Sequence, residues 1–177
     1  MAIRRTLQLN TGFTLVEMMI SIVIISIMLT VVVPLGAVVE TFRLDYFNQR
    51  VYSSAFLARS EAIKRGVPVS LCRTVTGADC DTGDTDWASG WLVFTNPNNN
   101  NSVDTGEEII RVYNAINTSL RLTLNAGTRL TFVPRGNPVT NNQFTLCIDG
   151  RLGGDLNRVI VSVTGQIRKD TGTGNCT

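Results

Sequence analysis

The sequence predicts an α+β protein, with a long N-terminal transmembrane helix packed on a small globular domain made of an antiparallel β-sheet. Three observations predict it. An apolar run from Gly12 to Val39 holds one ionisable residue, Glu17. Apolar residues then recur at steps of three or four as far as residue 65. Beyond that point the pattern changes to short β-type runs bounded by Gly, Asn and Asp clusters. The chain divides accordingly into a leader at 1–12, a membrane half of the helix at 13–39, an amphipathic half at 40–65 and a β-rich domain at 66–177.

The leader carries Arg4 and Arg5 ahead of the apolar run. A removable secretory signal has an apolar stretch of roughly 7–15 residues and then a small-residue cleavage site, and this run is far longer. About 20 apolar residues suffice to cross a bilayer. The positive-inside bias of Arg4 and Arg5 sets a single pass with the N-terminus in the cytoplasm and everything beyond about residue 40 exported. Inside hydrocarbon the Glu17 charge costs about 2.5–3.5 kcal/mol, which makes a cationic partner its simplest explanation.

The amphipathic half is marked by Leu44, Phe47, Val51, Ala55, Ala58 and Ala62, one apolar stripe that should hold the helix on the exported domain. Lys64 and Arg65 complement the C-terminal dipole, Gly66 suits a left-handed cap, and Pro68 prevents continuation, so the helix should stop near residue 65. Counted from Phe13 it would run roughly 80 Å at 1.5 Å per residue. Pro34, with Gly36 nearby, predicts a bend or local melting. The strands expected after it are Val67–Arg73, Trp91–Thr95, Ile109–Tyr113, Leu120–Leu124, Arg129–Val133, Gln143–Ile148, Arg158–Val163 and Gln166–Lys169, with Thr164-Gly165 as a hairpin tip. Trp91, Phe94 and Phe144 read as core residues.

The segment Gly12-Phe13-Thr14-Leu15-Val16-Glu17 resembles the cleavage and methylation signature of type IV pilins and type II secretion pseudopilins. The resemblance implies cleavage by the prepilin peptidase between Gly12 and Phe13, N-methylation of Phe13, and an assembly role for Glu17, which would pair with the terminal amine of a neighbouring subunit. Pro34 falls at the position of the family's mid-helix proline. The physics agrees: a terminal amine with a pKa near about 8 stays largely cationic at neutral pH and could neutralise a carboxylate held in lipid.

Four cysteines and no histidine narrow the chemistry. In an oxidising compartment an even count favours disulfides, and of the three connectivities Cys72–Cys80 with Cys147–Cys176 needs the least rearrangement. The competing four-cysteine metal site lacks the C-x-x-C spacing of zinc ribbons. Oxygen ligands for calcium occur at Asp79–Asp86 and Asn96–Glu108, but the second loop lacks the aspartate ladder and central glycine of an EF-hand and contains Pro97, so it reads as a mobile polar loop. No metal and no cofactor is expected. Nor is an enzyme: there is no histidine base, no G-x-S-x-G elbow and no phosphate-cradling glycine motif, and the adjacent Glu107 and Glu108 would point to opposite faces of a strand.

The segments Leu57–Gly66 with Val69–Arg73, then Gly90–Phe94, Glu108–Val112, Phe144–Cys147 and Val159–Ser162, are similar to those of FimT/GspH minor pilins and pseudopilins, FimT-like or FimU-like, across nearly the whole mature chain. This implies a minor pilin of a type IV pilus, acting in assembly or initiation at or near the tip, or else a GspH-type minor pseudopilin of a type II secretion system. The Leu71-Cys72-Arg73 segment sits closer to the pilus branch. Implied partners are other minor and major pilins or pseudopilins, the prepilin peptidase and the inner membrane, with the β-rich domain in the periplasm until the subunit enters a filament.

DNA is the further partner that the resemblance brings in, through a C-terminal Gly-Arg-x-Arg element that captures DNA for natural transformation in some FimT proteins. This chain reads Gly165-Gln166-Ile167-Arg168-Lys169, so only Arg168 matches, with Lys169 a substitute. Charge patterning bears on the point independently. Between Gly66 and Glu108 Arg73 is the lone basic residue, whereas from Ile109 onward arginines outnumber acids, a balance suited to weak, non-sequence-specific phosphate contacts. A solvated strand edge that discourages aggregation accounts for the same charges.

Overall fold

The computed structural model describes residues 12–32, 35–116, 119–125 and 127–176, without the side chains of 30–32 and 35–38. It separates into two compact units, one reaching to Thr41 and one beginning at Phe42. The first unit holds helix α1, Leu15–Val32, and the start of helix α2, Leu35–Arg65. The bend expected at Pro34 lies outside the described residues. Among the described residues no helix is long and apolar enough to cross a membrane, and the 13–39 segment includes positions outside that set.

In the second unit α2 stops at Arg65 for the anticipated reasons. Gly66 adopts φ +69°, a left-handed conformation that costs glycine little, and its N–H donates to Ala62 O at 3.1 Å. The predicted stripe is the buried face, with Val51, Ala55, Ala58 and Ala62 at 2% exposure or less. Small alanines let the helix approach the sheets closely.

Among the described residues eight strands follow: β1 Val69–Arg73, β2 Gly90–Thr95, β3 Ile109–Asn114, β4 Leu120–Leu124, β5 Arg129–Phe132, β6 Asn142–Ile148, β7 Gly154–Val161 and β8 Ile167–Gly174. They form two antiparallel sheets, ordered β3-β2-β1-β5 and β4-β6-β7-β8. One core joins both sheets to α2, with Leu71, Trp91, Val93 and Phe132 from the first meeting Leu122, Phe144, Leu146 and Val159 from the second. β1 and β2 are buried throughout, as strands covered on both faces must be. Cys72, Leu92 and Phe94 fill the far side of the first sheet beneath Val103 and Ile109.

β7 and β8 are longer than the sequence pattern indicates, pairing from Val161↔Ile167 to Gly154↔Gly174. The added residues, Gly-, Asn- and Thr-rich, carry no apolar alternation, so the ladder itself and the neighbouring disulfide define them. Between the two strands the hairpin tip is closed by Gly165 N–H donating to Ser162 O at 2.8 Å and Ser162 N–H to Gln166 O at 3.0 Å.

Candidate functional site

The site at the start of α1 is built from a cap and a rod. Thr14 precedes the helix, and its Oγ1 accepts the Glu17 N–H at 3.3 Å, satisfying one of the backbone donors that a helix start leaves open. Thr14-Leu15-Val16-Glu17 is thus the Thr-x-x-Glu spacing of a helix start, a signal that the surrounding apolar run overshadows in the sequence. Glu17 stands in the first turn, where the helix dipole favours a negative charge. No ion pair joins its carboxylate to a cation among the described residues. Around it the rod is apolar and open to the outside: Phe13 is 73% and Leu15 76% exposed, and Met18, Ile22, Ile25 and Met28 are exposed as well. Two serine hydroxyls turn back onto the helix, Ser21 Oγ donating to Glu17 O at 2.7 Å and Ser26 Oγ to Val23 O at 2.8 Å.

The cysteines join as Cys72–Cys80 and Cys147–Cys176, with Cα atoms 5.6 and 5.8 Å apart. The first clasp ties the acidic loop to β1, and Arg73 beside it organises that loop. The buried Arg73 guanidinium pairs with Asp81 at 2.6 Å and with Asp84 at 3.6 Å, and its Nε donates to Asp86 O at 2.8 Å. Hydrogen bonds from the Asp86 and Thr85 backbone amides hold the Asp84 carboxyl below its ordinary value, with Arg73 adding to the effect. Asp86 Oδ1 in turn accepts from Ala88 N–H at 2.9 Å and from Leu122 N–H at 3.0 Å, joining the short 3-10 turn at Trp87–Ser89 to the second sheet.

The Asn-rich loop, read from its composition as mobile, has its own hydrogen-bond network. Asp104 Oδ2 accepts from the Asn98 and Asn100 side-chain amides at 2.7 and 2.5 Å, and Asp79 Oδ1 accepts from Val103 N–H at 2.8 Å. Arg129 reaches across to Asn101 and to Asn99 O. Those oxygens serve the loop's own amides and the Arg129 guanidinium. Glu107 and Glu108 diverge as expected of neighbours in an extended segment: Glu107 Oε2 accepts from Asp104 N–H, while Glu108 pairs with Arg65.

Arg168 and Lys169 are not brought together. Neighbours on β8 point to opposite faces, and Lys169 turns to the helix, bonding Gln49 Oε1 and lying 5.4 Å from the Tyr52 ring centroid. Arg168 lies on the outer face opposite Ile160. Two further arginines on that face are matched by acids, Arg121 with Asp149 at 3.6 Å and Arg158 with Asp170 at 3.5 Å.

Comparison with known proteins gives two family matches. The family described as Type II transport protein GspH matches residues 48–165, and the prokaryotic N-terminal methylation motif matches residues 8–33. Among solved structures, the type IV minor pilin FimU of Pseudomonas aeruginosa strain PAO1, in its P21 crystal form, aligns with a TM-score of 0.59 at 20% identity, covering 78% of this chain and 98% of that one. The minor pseudopilin EpsH from the Type 2 Secretion System of Vibrio cholerae aligns with a TM-score of 0.52 at 14% identity, covering 72% of this chain and 96% of that one. At such identities the likeness is one of fold. No curated protein sequence matches. Since the first family match spans most of the helix-and-sheet domain and the second contains Gly12, Phe13 and Glu17, the chain belongs to the GspH family, as a structural subunit of the minor pilin and pseudopilin kind and not an enzyme.

Proposed function

We propose that the chain is a minor pilin of a type IV pilus, working in assembly or initiation at or near the filament tip. The alternative is a GspH-type minor pseudopilin of a type II secretion system. One observation carries the assembly reading: the exposed apolar rod of α1 with a lone carboxylate, Glu17, in its first turn. In hydrocarbon that charge costs about 2.5–3.5 kcal/mol, and an amine from a neighbouring subunit removes the cost. The peptidase frees Phe13 by cutting after Gly12, Phe13 is methylated, and an incoming protomer's terminal amine settles against Glu17. Until then a single pass holds the subunit in the inner membrane, with its N-terminus cytoplasmic and its β domain periplasmic. The Leu71-Cys72-Arg73 segment supports the pilus branch over the secretion branch.

The test is a deletion strain complemented with Glu17→Gln, Glu17→Leu or the native chain. The native and variant chains are then quantified in sheared filaments, and piliation, secretion and DNA uptake are scored side by side. Both variants are expected to stay in the membrane and to fall in the filament fraction by at least about tenfold, the equivalent of 1.4 kcal/mol. Undiminished incorporation of Glu17→Gln would sink the reading. Lost secretion with normal piliation assigns the chain to the secretion machine.

DNA capture is a second reading, carried by Arg168 alone, an exposed outer-face guanidinium with no carboxylate partner among the described residues. Labelled duplex is titrated against the full chain in detergent micelles. Arg168→Ala should weaken binding and Lys169→Ala should leave it nearly unchanged, because Lys169 is engaged by Gln49 and Tyr52. Equal affinity for all three proteins rejects this site.

A further inference from the structure

The first sheet ends in an open strand, β3, and the groove between that strand and α2 holds two arginines without acid partners among the described residues. Thr74 N–H donates to Gly90 O at 3.0 Å, so the Gly90 backbone faces β1, while Thr95 N–H donates to Glu108 O on the other side. By the alternation of antiparallel ladders, Trp91↔Tyr113 and Val93↔Arg111 are then the hydrogen-bonded pairs, and Val112 and Asn114 turn their N–H and C=O groups away from β2. Asn114 O is taken by Arg50 Nη2 at 3.1 Å. The Val112 N–H and C=O and the Asn114 N–H aim at the open edge.

The groove, about 680 Å³, is lined by Tyr46, Arg50, Phe56, Arg111, Tyr113 and Asn114 among others. Tyr113 stacks on Trp91 with centroids 5.1 Å apart, and Arg50 sits over both rings at 5.8 and 5.3 Å. Arg111, two residues before Tyr113 on β3, lies 5.3 Å from the Tyr113 centroid. Burial pushes the Tyr113 phenol above its ordinary value, against the opposing pull of Arg111 and Arg50. No ion pair joins either guanidinium to a carboxylate among the described residues, so two fixed positive charges face the groove.

We propose that this groove receives an extended acidic segment of a partner protein, which adds to β3 as a further strand and lays carboxylates beside Arg50 and Arg111. The open backbone groups supply affinity in the manner of strand addition, and the arginines select the side chains. Arg50 and Arg111 lie 5.8 and 5.3 Å from the same Tyr113 centroid, and alternate residues of a strand share a face about 6.8 Å apart, so carboxylates two residues apart can each reach one guanidinium. A nucleic acid offers charge but no ladder for Val112. The inference is independent of the filament reading, and Glu17 variants leave it untouched.

The probe is a labelled, acetylated and amidated octapeptide alternating threonine and glutamate, titrated by fluorescence anisotropy into the full chain in detergent micelles. Saturable binding is expected, with at least about a fivefold loss in Arg111→Gln and partial recovery in Arg111→Lys. Circular dichroism of both variants should match the native chain. A peptide with lysine for glutamate should not bind, and one N-methylated at its threonines, which keeps the charge but breaks the ladder, should lose most affinity. Several outcomes overturn the proposal: no saturation at millimolar peptide, equal binding of the lysine peptide, or undiminished binding of the methylated one. So does displacement by a thymidine oligonucleotide that Arg111→Gln abolishes, which makes the groove a nucleic-acid site. Self-association of the chain lost in Arg111→Gln makes the occupant a second copy and also overturns it.

Discussion

Arg65 grips Glu108 with two contacts, Nη1 to Oε2 at 2.5 Å and Nη2 to Oε1 at 3.1 Å, while its Nε reaches Glu61 Oε2 at 2.5 Å. One guanidinium therefore ties the end of α2 to the approach to β3. The hydrogen bond from Arg65 holds both the Glu108 and the Glu61 carboxyls below their ordinary value of 4.5.

The acid response follows from that depression. Each carboxylate has a lower pKa folded than unfolded, so its stabilisation is fully present above the unfolded value of 4.5 and is lost as pH falls through the folded value. Glu108→Gln should lower the urea midpoint at neutral pH, and the gap to the native chain should close as the titration proceeds below 4.5. A gap that persists unchanged at low pH would show that the ion pair is not its source.

Ala58 is fully buried where α2 meets the sheets. Ala58→Leu adds three carbons to a filled interface and should cost about 1–3 kcal/mol by urea denaturation. Ala58→Gly should cost less, mainly through helix propensity, about 1 kcal/mol.

Two left-handed glycines should respond differently to alanine. Gly66, at φ +69°, has open space where a Cβ would stand, so Gly66→Ala should cost about 1 kcal/mol, the conformational term alone. At Gly165, φ +83°, an added Cβ would collide with Gly136 O, itself held by Arg59 Nε at 2.8 Å. Gly165→Ala should cost about 2 kcal/mol or more, because loop and hairpin tip must separate. Thermal melts of both variants check the order.

The two disulfides should differ in weight. On loop length alone, removing Cys147–Cys176, with a separation of 29, costs about 3–4 kcal/mol, against about 2–3 kcal/mol for Cys72–Cys80, with a separation of 8. Paired Cys→Ser variants compared by denaturant titration decide it.

The eight strands are legible in the sequence, β7 and β8 only in part, because apolar runs, alternation and turn residues are local signals. So is the end of α2, from Lys64 to Pro68. Their division into two sheets is not: alternation states which face of β4 or β5 is buried, not that β4 joins β6 while β5 joins β1. The same limit hides the direction of Lys169, which depends on Gln49 and Tyr52 far away in sequence. Arg50 and Arg111 meet across Tyr113 only after α2 and β3 have docked, so no spacing rule announces their groove. The place of Glu17 as the one carboxylate in the first turn of α1 is legible for the opposite reason, because the apolar residues on either side of it are its neighbours in sequence.

The Cys147–Cys176 clasp has a temporal meaning as well as an energetic one. Its second sulfur follows β8, and its first is next to last in β6. The bond cannot close until synthesis has passed β8 and reached Cys176. A polypeptide cut short before Cys176 would leave Cys147 without its partner, as a free thiol open to exchange.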